Sequence, residues 1–149
     1  MNFINSLWKN NTNIINKVNF EDIQTIIRTN NDKILINTLD INKQNCLIKN
    51  TTPAANEETL IRNLIDKQKI NTYIIIYGEN CNSKKIYEKY SQLTNLGFYN
   101  VYLYTGGLFE WLCLQDIYGK DEFPTSSLEL DILKFKPQSS LNALFLTLD

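Results

Sequence analysis

The sequence contains no histidine, and its 149 residues include only three cysteines, three prolines, five glycines and one methionine. Without imidazole there is no Ser-His-Asp or Cys-His catalytic arrangement, no histidine-bearing zinc site and no imidazole proton shuttle. The cysteines, Cys46, Cys81 and Cys113, are odd in number, far apart and lack a Cys-x-x-Cys pair. That is neither a disulfide framework nor a zinc ribbon, and it fits a reducing compartment. No metal site and no cofactor is expected. An excess of positive charge is also missing: the formal net charge is −1 and the pI about 5.5, which argues against nucleic acid as a partner. No apolar run reaches the roughly 18 residues of a membrane span, so no membrane association is expected. The opening MNFINSLWKNN has neither the basic region nor the apolar stretch of a secretion signal. The expected location is cytoplasmic.

What is present suits one compact domain. The apolar share of 43% is enough for a core. Asn, Ile and Lys number 21, 19 and 13, over a third of the chain, the imprint of an AT-rich genome. Residues 1–18 are Asn-rich with apolar anchors Phe3, Ile4, Leu7, Trp8, Ile14, Ile15 and Val18, and read as an N-terminal arm or short helix. Asn19 predicts a helix cap, with Glu21 and Asp22 in the first turn where the helix dipole favours acids. Phe20, Ile23, Ile26 and Ile27 follow at helical spacing up to the Asn30-Asn31-Asp32 turn. Lys33–Asn37 is a short apolar run typical of a strand buried on both faces.

Asn56 then predicts a second cap before the stripe Leu60, Ile61, Leu64 and Ile65. Thr72–Tyr77 is the strongest strand, β-branched and aromatic, ended by Gly78. A third helix is expected from near Ser83, with Ile86, Tyr90, Leu93 and Leu96 inward and Gly97 as its stop. Val101–Tyr104 is another strand, and a fourth helix runs from Gly106-Gly107 through Trp111 and Leu114 to Gly119. This alternation implies an α/β domain with a central, mostly parallel sheet flanked by helices over 19–124, followed by a C-terminal extension over 125–149.

In such sheets, sites form at the carboxyl ends of the strands, which directs attention to residues 78–83. A helix N-terminus there would present free N–H groups to an anion and favour a thiolate on Cys81. The candidate anion-binding loop is Gly78, Glu79, Asn80, Asn82, Ser83, Lys84 and Lys85, with Cys81 the candidate nucleophile. The two lysines oppose the helix dipole, a cost easier to understand if an anion visits. The other reading is an ordinary surface cysteine on an Asn-rich loop beside two solvated lysines.

Strand Ile74–Tyr77, the Cys-containing loop, Leu96-Gly97-Phe98, Asn100-Val101-Tyr102 and the run Gly106-Gly107-Leu108-Phe109-Glu110-Trp111 together resemble the rhodanese-like domains. The Leu108–Leu112 variant, with Asp116–Gly119 and Phe123-Pro124-Thr125, resembles a divergent branch found in protists and large DNA viruses, which implies host cytoplasm or virion as the location. The resemblance implies a three-layer α/β fold and a loop cysteine that carries sulfane sulfur as a persulfide within a ring of backbone N–H groups. The partner implied is a small sulfur-containing anion or a thiol.

Departures from the family pattern point elsewhere. Gly78 occupies the slot where the family's cysteine follows the strand, and Cys81 comes three residues later. The family's Asp-x-Arg after the first strand reads Asn37-Thr38-Leu39, and its loop arginine has no counterpart beyond Lys84 or Lys85. The related phosphatase pattern, Cys-x5-Arg, meets Tyr87. Two functions therefore stand: a degenerate, non-catalytic binding or assembly module, or a sulfurtransferase forming a persulfide on Cys81.

Elsewhere, Cys46 is read as a small buried residue, with a resolving thiol as the rarer role, and Cys113, Trp111 and Phe109 as core. Glu110, Asp116, Asp121 and Glu122 form no spaced acid/base pair and read as caps or solvated faces. The eight tyrosines are too scattered for a base-stacking platform. Trp8, with Leu141, Leu144, Phe145, Leu146 and Leu148, either extends the core or docks a protein partner.

Overall fold

Every strand of the sheet is short and runs the same way. In the computed structural model, which describes residues 14–29 and 32–141, the order along the chain is β1 (Lys17–Val18), α1 (Phe20–Thr29), β2 (Ile34–Asn37), α2 (Ala54–Asp66), β3 (Ile74–Tyr77), α3 (Lys85–Asn95), β4 (Val101–Tyr104) and α4 (Gly107–Tyr118). Short 3-10 turns at Ile41–Lys43 and Ile132–Phe135 complete it. The four strands form one parallel sheet in the order β1-β4-β3-β2, with Ile74 opposite both Ile34 and Val101, and Tyr77 opposite Asn37 and Tyr104.

Because side chains alternate across a strand, each apolar run divides into two faces. Leu35, Ile75, Tyr77 and Tyr104 point to one side and pack with Ile23 and Ile26 of α1 and Leu108, Trp111 and Leu112 of α4. Ile36, Ile74, Ile76, Val101 and Leu103 point to the other and meet Ile61 of α2 and Ile86 and Leu93 of α3. Helices on both faces of a parallel sheet make the expected three-layer α/β arrangement. The Asn19 cap forms as expected: its Oδ1 accepts from Asp22 N at 3.2 Å, and Asp22 Oδ2 accepts from Asn19 N at 3.0 Å.

Several boundaries differ from the sequence reading. Helix α2 begins at Ala54, not after an Asn56 cap, because Pro53 sits at the start with φ −57° and ψ 139° and its carbonyl accepts from Asn56 N at 2.9 Å. Helix α3 begins at Lys85, not Ser83, because the preceding residues close a turn of their own, Ser83 N donating to Asn80 O at 3.2 Å. Lys17 and Val18, at the end of the expected arm, form an edge strand against Leu103 and Tyr104. Helix α4 buries Gly107, Leu108, Trp111, Leu112 and Gln115, which leaves Cys113 half-buried instead of in the core. Cys46 is buried, its Sγ donating to Ser127 O at 3.3 Å.

Beyond α4 the chain returns over the domain. Lys49 N donates to Pro124 O and Ser126 N to Leu47 O, and Phe135 is fully buried against the α1/α4 face. The turn residues Asn30 and Asn31, the anchors Phe3, Ile4, Leu7 and Trp8, and Leu144, Phe145, Leu146 and Leu148 lie outside the described residues. Among the described residues no helix is long and apolar enough to cross a membrane.

Candidate functional site

The carboxyl ends of β2 and β3 open into a cleft of about 810 Å³. One wall is the turn after β2, with Thr38, Asp40 and Lys43; another is the loop after β3; the third is the C-terminal segment, with Leu133, Lys134, Lys136, Gln138 and Ser140. Of the sequence-predicted loop residues, Glu79, Asn80, Asn82, Ser83, Lys84 and Lys85 line the cleft, while Gly78 and Cys81 do not.

Gly78 is buried beneath the loop. A Cβ placed there would stand 2.4 Å from Ser83 Oγ, 2.7 Å from Ser83 Cβ and 3.0 Å from Ile86 Cγ2, so the Ser83 side chain fills the space a residue-78 side chain would need. The loop is braced from behind by the first turn of α4, where Leu108 N donates to Gly78 O and Phe109 N to Glu79 O, each at 2.9 Å. Gly107 permits this approach, since it holds φ +71° and its Cβ position lies 2.8 Å from Gly78 O and 2.9 Å from Asn80 N. The leading N–H groups of α4, usually free to receive an anion, are thus given to loop carbonyls.

Asn80 ties the loop to itself and to the C-terminal segment. Its Oδ1 accepts from Asn82 N at 2.9 Å and its Nδ2 donates to Phe135 O at 3.0 Å. The N–H groups of Asn82 and Ser83 therefore turn toward Asn80. Cys81 is exposed, and its Sγ reaches Asn82 Oδ1 at 3.9 Å. Lying four residues before α3, it stands outside the first turn, where a helix dipole has most of its effect.

Charge in the cleft is mostly answered locally. Lys43 pairs with Glu79 at 2.5 Å, Lys85 pairs with Asp40, and Lys134 reaches Glu129 at 3.5 Å. The hydrogen bond and charge of Lys85 hold the Asp40 carboxyl below the usual carboxylate range, and Asp40 in turn raises the Lys85 ammonium. The opposition of Lys85 to the helix dipole therefore has its counter-charge within the fold. Lys84 and Lys136 have no carboxylate partner among the described residues.

Behind the cleft, Asn37 is buried and makes a reciprocal amide pair with Gln44: Asn37 Nδ2 donates to Gln44 Oε1 at 3.1 Å and Gln44 Nε2 to Asn37 Oδ1 at 2.8 Å. Asn37 Oδ1 also accepts from Leu39 N at 3.0 Å. This neutral pair holds the turn after β2, at the place where the family's Asp-x-Arg reads Asn37-Thr38-Leu39. Tyr77, wholly buried, reaches Thr51 Oγ1 at 2.7 Å and Ile48 N at 3.2 Å; burial pushes its hydroxyl far up, so it stays protonated. Glu110, expected as a cap or solvated residue, instead accepts from the buried Tyr104 hydroxyl at 2.7 Å, and burial first, then Glu110, raise that hydroxyl as well. Tyr73 and Tyr102 stack with ring centroids 5.9 Å apart, one pair toward the amino-terminal end of the two central strands.

The sequence reading missed Asp40, Lys43 and the whole C-terminal wall. The one available signal was Lys134-Phe135-Lys136, an apolar residue between two charges, which buries Phe135 and leaves both lysines exposed toward the cleft.

Comparison with known proteins agrees with this architecture. The family model described as "Rhodanese-like domain" matches residues 9–113, and no curated protein matches the sequence. Among solved structures, the Alr3790 protein from Anabaena sp. is similar with a TM-score of 0.51 and 16% identity over 78% of this chain and 86% of that one. Thiosulfate sulfurtransferase from Pseudomonas aeruginosa gives 0.53 and 14% identity over 81% of this chain and 23% of that one. Ygr203w, a yeast protein tyrosine phosphatase of the Rhodanese family, gives 0.53 and 13% identity over 79% and 96%. At such identities the likeness is one of fold.

Proposed function

The chain belongs to the rhodanese-like domain family, and from that premise we propose that it is a non-catalytic binding module, whose loop after β3 forms the wall of a ligand cleft and does not carry sulfur. The observation that carries this reading is the pairing of Gly78 with Ser83. The position directly after the strand has no side chain, the space beside it is filled by Ser83, and the nearby thiol of Cys81 stands outside the cleft. Nucleophile placement is unforgiving, since a misplacement of about an ångström costs on the order of a hundredfold in rate. The N–H groups of Asn82 and Ser83, which a persulfide would need, are engaged by Asn80.

The test is sulfur transfer itself. The protein incubated with thiosulfate and cyanide should release no thiocyanate above the uncatalysed rate, and Cys81 should show no mass gain of about 32 Da, one sulfur atom. Thiocyanate production that Cys81→Ser abolishes would instead establish the sulfurtransferase.

A further inference from the structure

We propose that the cleft binds a phosphorylated, polyhydroxylated small molecule, its phosphate held between Lys84 on the β3 loop and Lys136 on the C-terminal segment. The inference rests on the reading of the cleft as a binding site and specifies what it binds.

Charge sets the class first. Among the described residues, five lysines face the cleft against two carboxylates, Asp40 and Glu79. Three of those lysines are already paired, so the unanswered charge is concentrated in two ammonium groups on different walls. A single carboxylate or sulfate ester carries one negative charge and would leave one ammonium unanswered. A phosphate monoester or diphosphate carries close to two or more near neutral pH and answers both. No arginine among the described residues lines the cleft, so recognition runs through point charges without the bidentate fork, a mode lysine provides for phosphate.

Lining and size set the remainder. A cleft of about 810 Å³ is far larger than a lone inorganic anion needs. Among the described residues it has no aromatic ring in its lining, and Leu133 is the one apolar lining residue. A nucleobase would find nothing to stack on, and an acyl chain little to bury against. Asn82, Gln138 and Ser140 instead offer amide and hydroxyl groups to the hydroxyls of a sugar or polyol. The two halves of the grip are linked by Asn80, whose side-chain amide donates to the Phe135 carbonyl next to Lys136.

The experiment is calorimetric titration with inorganic pyrophosphate and with glucose 6-phosphate, using thiosulfate as a compact dianion for comparison. Saturable binding of both phosphate compounds is expected, tighter than thiosulfate. Lys84→Ala and Lys136→Ala should each weaken it by about fivefold, the size expected for an exposed charge contact, and Lys→Arg at either site should keep it. Lys69→Ala, in the turn before β3 at the opposite end of the sheet, should leave binding unchanged. Affinity should also fall steeply with added salt. Absence of saturable binding by either phosphate compound, or binding indifferent to Lys136→Ala, would overturn the proposal. Persulfide on Cys81 would overturn the module reading alone, since these titrations report on lysines and not on the thiol.

Discussion

Single residues decide what the loop after β3 can be. Gly78 is packed so closely under Ser83 that even a methyl group must displace something. Gly78→Ala is expected to lower stability by about 1–3 kcal/mol, the range for overpacking a close-packed site. Ser83→Gly in the same chain removes both clashing atoms and should recover most of that loss. Urea denaturation of the two single variants and the double variant measures this as a coupling energy. An additive result would mean that the loop moves aside and that the space beside Gly78 is open after all. The glycine was visible in the sequence as a departure from the family pattern. What filled its place was not, because an Asn-rich loop has no periodicity from which to place Ser83.

Among the elements, the strands were the most legible part of the sequence and helix starts the least. Ile34–Asn37, Ile74–Tyr77 and Val101–Tyr104 are apolar runs buried on both faces, and burial on both faces is what makes a run continuous in sequence. Strand β1 is only Lys17 and Val18 beside asparagines, too short for any pattern. Asn56 and Ser83 both read as helix starts on composition, yet Pro53 fixes one start earlier and the Asn80 turn delays the other. The Gly106-Gly107 pair was correctly taken as the start of α4, but its closeness to the β3 loop is a tertiary fact. Gly107→Ala should be costly on two counts, a left-handed φ of +71° and a Cβ within 2.9 Å of loop backbone. A loss of about 2–4 kcal/mol is expected, read as a fall in Tm of roughly 5–15 °C. A change of under about 2 °C would show that α4 does not brace the loop.

For the whole molecule, the cleft is completed by chain that the sequence reading set apart as an extension. Residues 45–49 and 124–127 interlock through the bonds of Lys49, Ser126 and Cys46, and Phe135 then anchors the lysine-bearing wall. The contact that links this wall to the β3 loop spans 55 residues of sequence, a separation at which no local pattern gives a signal. Phe135→Ala should remove that anchor. Global stability is expected to fall by about 3–5 kcal/mol, limited proteolysis should open residues 128–140 first, and pyrophosphate binding should weaken with it. Faster proteolysis with unchanged binding would take the C-terminal segment out of the site.

The amide pair of Asn37 and Gln44 bears on how the cleft responds to its surroundings. Ion pairs at the rim loosen as salt rises or as acid protonates Asp40, whose depressed carboxyl lends its support above the ordinary carboxylate range and loses it as pH falls through its own lower value. Two carboxamides have no charge to screen and no proton to gain. The turn that presents Thr38, Asp40 and Lys43 therefore keeps its shape while the charges it carries are turned down. If the cleft binds an anion as proposed, added salt would weaken its pull and protonation of Asp40 would strengthen it, both without altering the frame in which the anion sits.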